Sequence, residues 1–231
     1  MQRIECRLVE MNQCAEHIWH IHLQPQQAIS FKPGQYLQVV MGEKDKRPFS
    51  IASSPTRAGL ELQIGAAPGN PYPGEVLERL RQEGAIQVEI PLGKAWLREE
   101  SLRPILLIAG GTGYSYARAL LQYLMDTDMN RPVYLYWGVR QEAQLYEGDE
   151  MMSWADEFQH LTFVPVVEHP SHEWQGRVGM IHEAVLTDFA TLDQYDIYVA
   201  GRFEMAAVVR QSLHLRGVSD EHLFGDAYQF I

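Results

Sequence analysis

Pro104-Ile105-Leu106-Leu107-Ile108-Ala109-Gly110-Gly111-Thr112-Gly113-Tyr114 is an apolar strand that runs directly into a glycine turn. From Tyr114 to Met125 the apolar residues fall at helical spacing, so the turn connects a buried strand to a helix. Beyond it, apolar runs at Val133–Trp137, Leu161–Val167 and Ile197–Ala200 alternate with helical patterns over 113–126, 147–158, 177–187 and 203–216. Strand–helix repetition of this kind predicts a parallel sheet with helices on both faces. Upstream of Leu102-Arg103-Pro104 the texture differs. Residues 1 to about 98 hold short β-like runs, Ile4–Val9, Ile18–Leu23, Tyr36–Met41, Leu60–Ile64 and Ile86–Ile90, punctuated by Gly, Pro and charged clusters. Such spacing predicts an antiparallel barrel or sandwich, interrupted by one helix at about Gly74–Gln82. The expected organisation is an antiparallel β-barrel domain over 1–100 and an α/β domain over 101–231.

Composition narrows the chemistry. The 231 residues are 46% hydrophobic and 21% charged, which is ordinary for globular domains able to bury a core. The charged N-terminus is unlike a signal peptide, and the apolar runs are too short to span a bilayer, so a soluble cytoplasmic protein is expected. The formal net charge of −11 argues against nucleic-acid binding. Two cysteines, Cys6 and Cys14, are too few for an iron–sulfur cluster. The nine histidines show no metal-ligand spacing, and His17, His20 and His22 alternate along a strand, so they cannot all share a face. The run Glu147–Glu150 reads as an acidic helix start.

Two segments carry the functional reading. Backbone N–H groups at the helix opened by Gly110, Gly111, Thr112 and Gly113 favour phosphate, and the glycines let a dinucleotide approach closely. The turn departs from the full dinucleotide fingerprint, because Tyr116 stands where Gly or Ala is expected. After the next strand, Gly138-Val139-Arg140 offers an arginine where an NAD-specific site places an acid, so Arg140 can meet a 2′-phosphate or stack on adenine. The last long strand ends in Ala200-Gly201-Arg202, where small residues let a flat ring lie near the backbone. Phe203 and Met205 read as helix core. In the first half, Lys46-Arg47-Pro48-Phe49-Ser50-Ile51-Ala52 combines a cation, a proline that implies an edge strand, and a hydroxyl.

As a set, Gly34-Gln35-Tyr36-Leu37, Arg47-Pro48-Phe49-Ser50, Ile108-Ala109-Gly110-Gly111-Thr112-Gly113, Tyr136-Trp137-Gly138, Ala200-Gly201-Arg202-Phe203-Glu204-Met205 and Leu223-Phe224-Gly225-Asp226-Ala227-Tyr228 resemble the ferredoxin–NADP reductase superfamily. Within it the chain is most similar to the bacterial NAD(P)H:flavin oxidoreductases, including the luminescence-associated flavin reductases. The resemblance implies a six-stranded flavin barrel followed by a nucleotide-binding α/β domain. It implies a flavin ring against Tyr36, Arg47, Pro48, Phe49 and Ser50, with Ser50 near N5 and catalytic, and with Tyr72, Phe224 and Asp226 as further flavin contacts. NADPH or NADH would lie over Gly110, Gly111, Thr112, Gly113, Arg140, Gly201 and Arg202.

Relatives that hold FAD permanently usually carry a Gly-x-x-Ser-like turn. Here Gly69-Asn70-Pro71-Tyr72-Pro73-Gly74-Glu75 lacks the serine and places an acid at a helix start, which repels a diphosphate. The flavin, whether riboflavin, FMN or FAD, is therefore expected as a dissociable substrate, with no metal. Superfamily members that pass electrons onward often have Cys-Gly where Ala200-Gly201 stands, so no thiol is expected at the nicotinamide. Expected users of reduced flavin are a flavin-dependent monooxygenase, a luciferase or ferric complexes. The alternatives are a reductase component with tight FAD serving a protein acceptor, and a regulatory subunit that borrows the fold.

Overall fold

The structure, a computed structural model, describes residues 1–231. It divides into two compact units, Met1–Leu97 with Arg118–Asp126, and Arg98–Ala117 with Thr127–Ile231.

The first unit is built on six antiparallel strands: β1 (Gln2–Ala15), β2 (Ile18–Pro25), β3 (Tyr36–Val40), β4 (Lys46–Ser50), β5 (Leu60–Gly65) and β6 (Ala85–Leu92), in the spatial order β4-β3-β6-β1-β2-β5. Alternation places Ile21, Leu23, Leu37, Val39, Val88 and Ile90 inside. The two ends of the sheet meet just beyond β4, where Ala52 N–H donates to Glu61 O at 2.8 Å, closing the sheet on itself. Helix α1 (Pro71–Glu83) plugs this core with Val76, Leu77 and Leu80, each burial worth roughly 1.5–3 kcal/mol. It is longer than its apolar spacing predicts because Asn70 caps its start, prolines occupy its first turn, and Gly84 ends it at φ 67°.

The second unit is a parallel sheet of β7 (Ile105–Gly110), β8 (Val133–Val139), β9 (Leu161–Val167), β10 (Arg177–Val178), β11 (Asp196–Ala200) and β12 (Leu223–Phe224), ordered β10-β9-β8-β7-β11-β12. Helices α2 (Tyr114–Asp126), α3 (Gly148–Glu157), α4 (Ile181–Asp188) and α5 (Phe203–His214) connect its strands. The chain builds outward from β7 to β10 and then crosses back to place β11 on the other side of β7. Strand direction of growth thus reverses at β7, and ligands of open parallel sheets bind at the carboxyl edge of such a switch point. Two short strands escape sequence reading. Residues 177–178 were expected to open a helix and instead pair with β9, and β12 joins the sheet beside β11.

Helix α2 belongs to both units. Arg118, Gln122 and Asp126 stand at i, i+4 and i+8, one polar stripe on an otherwise apolar helix. Arg118 Nη1 donates to Ala52 O (3.0 Å) and Glu61 Oε2 (2.8 Å), Gln122 Oε1 accepts from Ser54 N (3.0 Å), and Asp126 receives Thr56 and Arg57. These bonds hold the segment that follows β4, which is why a division at residue 100 separates the helix from partners it needs.

Candidate active site

In the first unit, β3 and β4 pair with Tyr36 opposite Ser50, Leu37 opposite Phe49, Gln38 opposite Pro48 and Val39 opposite Arg47. Directly opposed residues share a face of the sheet, and neighbours along a strand point to opposite faces. Leu37 and Val39 are fully buried, so Phe49 and Arg47 face inward with them, whereas Tyr36, Pro48 and Ser50 form the outward face. Ser50 is half-buried and Pro48 exposed. Proline is tolerated because β4 pairs only with β3 over its length.

Arg47 therefore turns away from Ser50, a correction to the reading of residues 47–50 as one platform. The period-two pleat separates the two side chains. Only 6% exposed, Arg47 lies against α1. Its Nε and Nη2 grip both oxygens of Asp45 (2.9 and 2.6 Å), Nη2 also reaches Glu75 (2.6 Å), and Nη1 donates to Tyr72 O. The Tyr72 ring lies 4.5 Å from the guanidinium, and the half-exposed phenol donates to Lys46 O at 3.4 Å. Burial, outweighing the neighbouring Arg47 charge, pushes the Tyr72 phenol up. Glu75, expected as a repelling charge at the helix start, sits beyond the first turn and is engaged with Arg47.

In the second unit the carboxyl edge is lined by glycine. Gly110 pairs with Gly138, and Ala109 with Ala200, so Gly201 follows on the other side. Gly138, Gly110 and Gly201 thus form a row across three adjacent strands. A Cβ on Gly201 would lie 3.4 Å from the Gly110 Cα and 2.7 Å from Met205 Cε, and one on Gly110 would lie 2.3 Å from Met205 Sδ. The turn itself is a short 3₁₀ segment, Gly111–Gly113, in which Gly111 has φ 54° and Thr112 is half-buried. Gly113 is obligatory for another reason: its Cβ would stand 2.3 Å from the Ala200 carbonyl oxygen. Trp137 donates from Nε1 to Gly111 O (2.9 Å) and stacks on Tyr114 at 3.9 Å, with Tyr146 edge-on to both. This aromatic cluster pins the turn, and the sequence signal for it was the Trp137-Gly138 pair near the end of β8.

Arg140 and Arg202 are both exposed, Arg140 after β8 and Arg202 just before α5. Phe203 is 53% exposed and lies 6.0 Å from Phe230, contrary to the expectation of helix core, because α5 begins at the solvent edge. Met205 is half-buried over the glycine pair. Phe224, expected as a flavin contact, is in the edge strand β12, its ring 4.9 Å from Tyr198 and 4.5 Å from the Arg98 guanidinium. Asp226 is half-buried near Tyr116, whose phenol is pushed well up, first by burial and then by this carboxylate.

Residues 107–211 match the oxidoreductase NAD-binding domain family. The chain is 49% identical to the NAD(P)H-flavin reductase of Vibrio harveyi, over 99% of both chains. It belongs to the NAD(P)H-flavin reductase family. An Aliivibrio fischeri NAD(P)H-flavin reductase is likewise 49% identical over 99% of both chains. Among solved structures, a Neisseria gonorrhoeae ferredoxin NADP+ reductase with bound FAD and NADP superposes with a TM-score of 0.83, covering 97% of this chain and 98% of that one. At 16% identity that likeness speaks to the fold alone. For a flavin reductase, the expected antiparallel-plus-parallel architecture is thereby found. No helix is long and apolar enough to cross a membrane.

Proposed function

We propose that this protein catalyses NAD(P)H-dependent reduction of free flavins, taking the flavin as a dissociable substrate. The observation that carries the reading is 49% identity over nearly the full length with proteins named NAD(P)H-flavin reductase. The chemistry is hydride transfer from nicotinamide C4 to flavin N5, which asks for stacking and orientation more than for a strong acid or base.

The residues suit those tasks. The outward Tyr36–Ser50 pair offers an aromatic face and a hydroxyl side by side, fitted to a flat heterocycle with a ring nitrogen. Ser50 hydrogen-bonds to N5 and orients it to receive the hydride. Met205 and Ile181 already pack against the row Gly138–Gly110–Gly201, whereas a Cβ on Gly111 would meet nothing within 4 Å, so the turn Gly111–Gly113 is where a nicotinamide dinucleotide gains close backbone contact. Thr112 stands beside the nicotinamide ring. The exposed Arg140 and Arg202 supply the positive charge for a dinucleotide, with NADH and NADPH both accepted. Users of the reduced product are a flavin-dependent monooxygenase, a luciferase or ferric complexes.

The test is to mix protein, NADPH and free riboflavin or FMN and follow loss of NADPH absorbance without any protein acceptor. Turnover is expected, and Ser50→Ala lowers kcat at least about tenfold while leaving the NADPH KM nearly intact. Absence of turnover until a protein acceptor is added would overturn the reading.

A further inference from the structure

Ser50 is the last residue of β4, and the chain beyond it turns inward: Ile51, Ala52, Ser53 and Ser54 are all 0% exposed. Backbone groups shut off from solvent must find partners within the protein. Ile51 N donates to Gln35 O at 3.3 Å and Ala52 N to Glu61 O at 2.8 Å. Glu61 N in turn donates to Ser53 Oγ at 3.0 Å. Two further groups are met from α2. A single nitrogen of Arg118, Nη1, donates both to Ala52 O at 3.0 Å and to Glu61 Oε2 at 2.8 Å, and Gln122 Oε1 accepts from Ser54 N at 3.0 Å.

Glu61 therefore grips Ala52 twice, directly at its N–H and through Arg118 at its carbonyl. His20 Nε2, 2.9 Å away, contacts the same carboxylate oxygen that receives Arg118. Along its own length β4 bonds only to β3, so Ser50 is located by Tyr36 across the ladder and by this clamp two residues downstream. A reacting group has to be held within about 0.5 Å of its productive place, and an error of about 1 Å can cost on the order of a hundredfold in rate. Lysine at position 118 keeps the charge but lacks the planar fork. With Ala52 closed to solvent, no water replaces the lost donor, and the chain next to Ser50 has to shift.

Resting on the reading of Ser50 as the hydroxyl that meets flavin N5, we infer that Arg118, oriented by Glu61, is a positioning residue for the hydride transfer: it fixes the Ala52 carbonyl and acts on the reaction through Ser50.

The experiment measures kcat and the NADPH KM with riboflavin, well below the melting temperature, in the wild type, Arg118→Lys, Ser50→Ala and the double variant. Arg118→Lys should lower kcat by about tenfold with the NADPH KM within about threefold of wild type. Because the two residues act as one unit, the double variant should have a kcat within about twofold of Ser50→Ala alone. Arg131→Lys disturbs a comparably buried ion pair in the second unit, Arg131 Nη2 to Asp196 Oδ2 at 2.8 Å, and should leave kcat within about twofold of wild type. Where Arg118→Lys does not fold, Gln122→Met, which leaves the ion pair and releases only Ser54 N, carries the same test with a loss of about threefold that again vanishes in the Ser50→Ala background. An unchanged kcat, an equal further loss on top of Ser50→Ala, or an equal loss in Arg131→Lys overturns the positioning role. A Ser50→Ala variant as fast as wild type overturns instead the underlying reading of Ser50.

Discussion

Arg118→Met should be among the most damaging single changes in the first unit. Arg118 is 8% exposed at its side chain and Glu61 18%, and they meet at 2.8 Å. Methionine keeps much of the volume but strands the carboxylate and the Ala52 carbonyl. Breaking a buried pair by removing one partner costs about 3–5 kcal/mol. Since His20 Nε2 remains 2.9 Å from Glu61, the lower figure, about 3 kcal/mol, applies. For a chain of this size that lowers Tm by about 6–12 °C. The effect should also depend on pH. Burial pushes the Glu61 carboxyl up, but the His20 hydrogen bond and the Arg118 charge outweigh it and bring it from 4.5 to about 2. A carboxylate depressed on folding stabilises above its unfolded value and loses that contribution as pH falls toward its folded value. The Tm gap between wild type and variant should therefore be full at pH 7 and close progressively below about 4.5. Thermal melts by circular dichroism at pH 7, 5 and 3 measure it. Adding Glu61→Gln to Arg118→Met should recover part of the loss, because the stranded charge is gone. A Tm drop under about 2 °C, or a gap independent of pH, would refute the reasoning.

Glycine positions in the turn should separate by cause. Gly113→Ala, forced against backbone at 2.3 Å, should cost about 3 kcal/mol or more, whereas Gly111→Ala, with φ 54° and open space, should cost about 1 kcal/mol. Equal Tm losses would contradict the packing argument. Steady-state kinetics should show kcat/KM for NADH and NADPH within about a thousandfold, roughly 4 kcal/mol, with Arg140→Ala lowering the NADPH value about tenfold and the NADH value little. Gel filtration of the purified protein should yield it without stoichiometric yellow flavin, and retention of one FAD per chain would contradict a dissociable substrate.

The two-part architecture was legible because each half repeats one local pattern. Alternating short strands and strand–helix units need only neighbours in sequence to declare themselves. The glycine turn was legible for the same reason, since strand, turn and helix are contiguous from Ile105 to Tyr114. What the chain order of residues could not reveal was which way a side chain faces once strands pair, and what it meets there. Arg47 and Ser50 are three residues apart and look like one platform, yet the pleat sends them to opposite faces. The partner of Ser50 is Tyr36, fourteen positions earlier, and a partner of Arg47 is Glu75, twenty-eight positions later. Likewise, Gly138, Gly110 and Gly201 become one row only through parallel register across β8, β7 and β11. The sequence by itself determined the two kinds of layer, the glycine turn between β7 and α2 and the candidate hydroxyl, because backbone periodicity and glycine geometry are local. Tertiary structure alone decided that Arg47 is tied to Asp45 and Glu75, and that α2 braces the barrel through Arg118. Hydrogen bonds and ion pairs form between groups that packing brings within reach, and separation along the chain does not encode that distance.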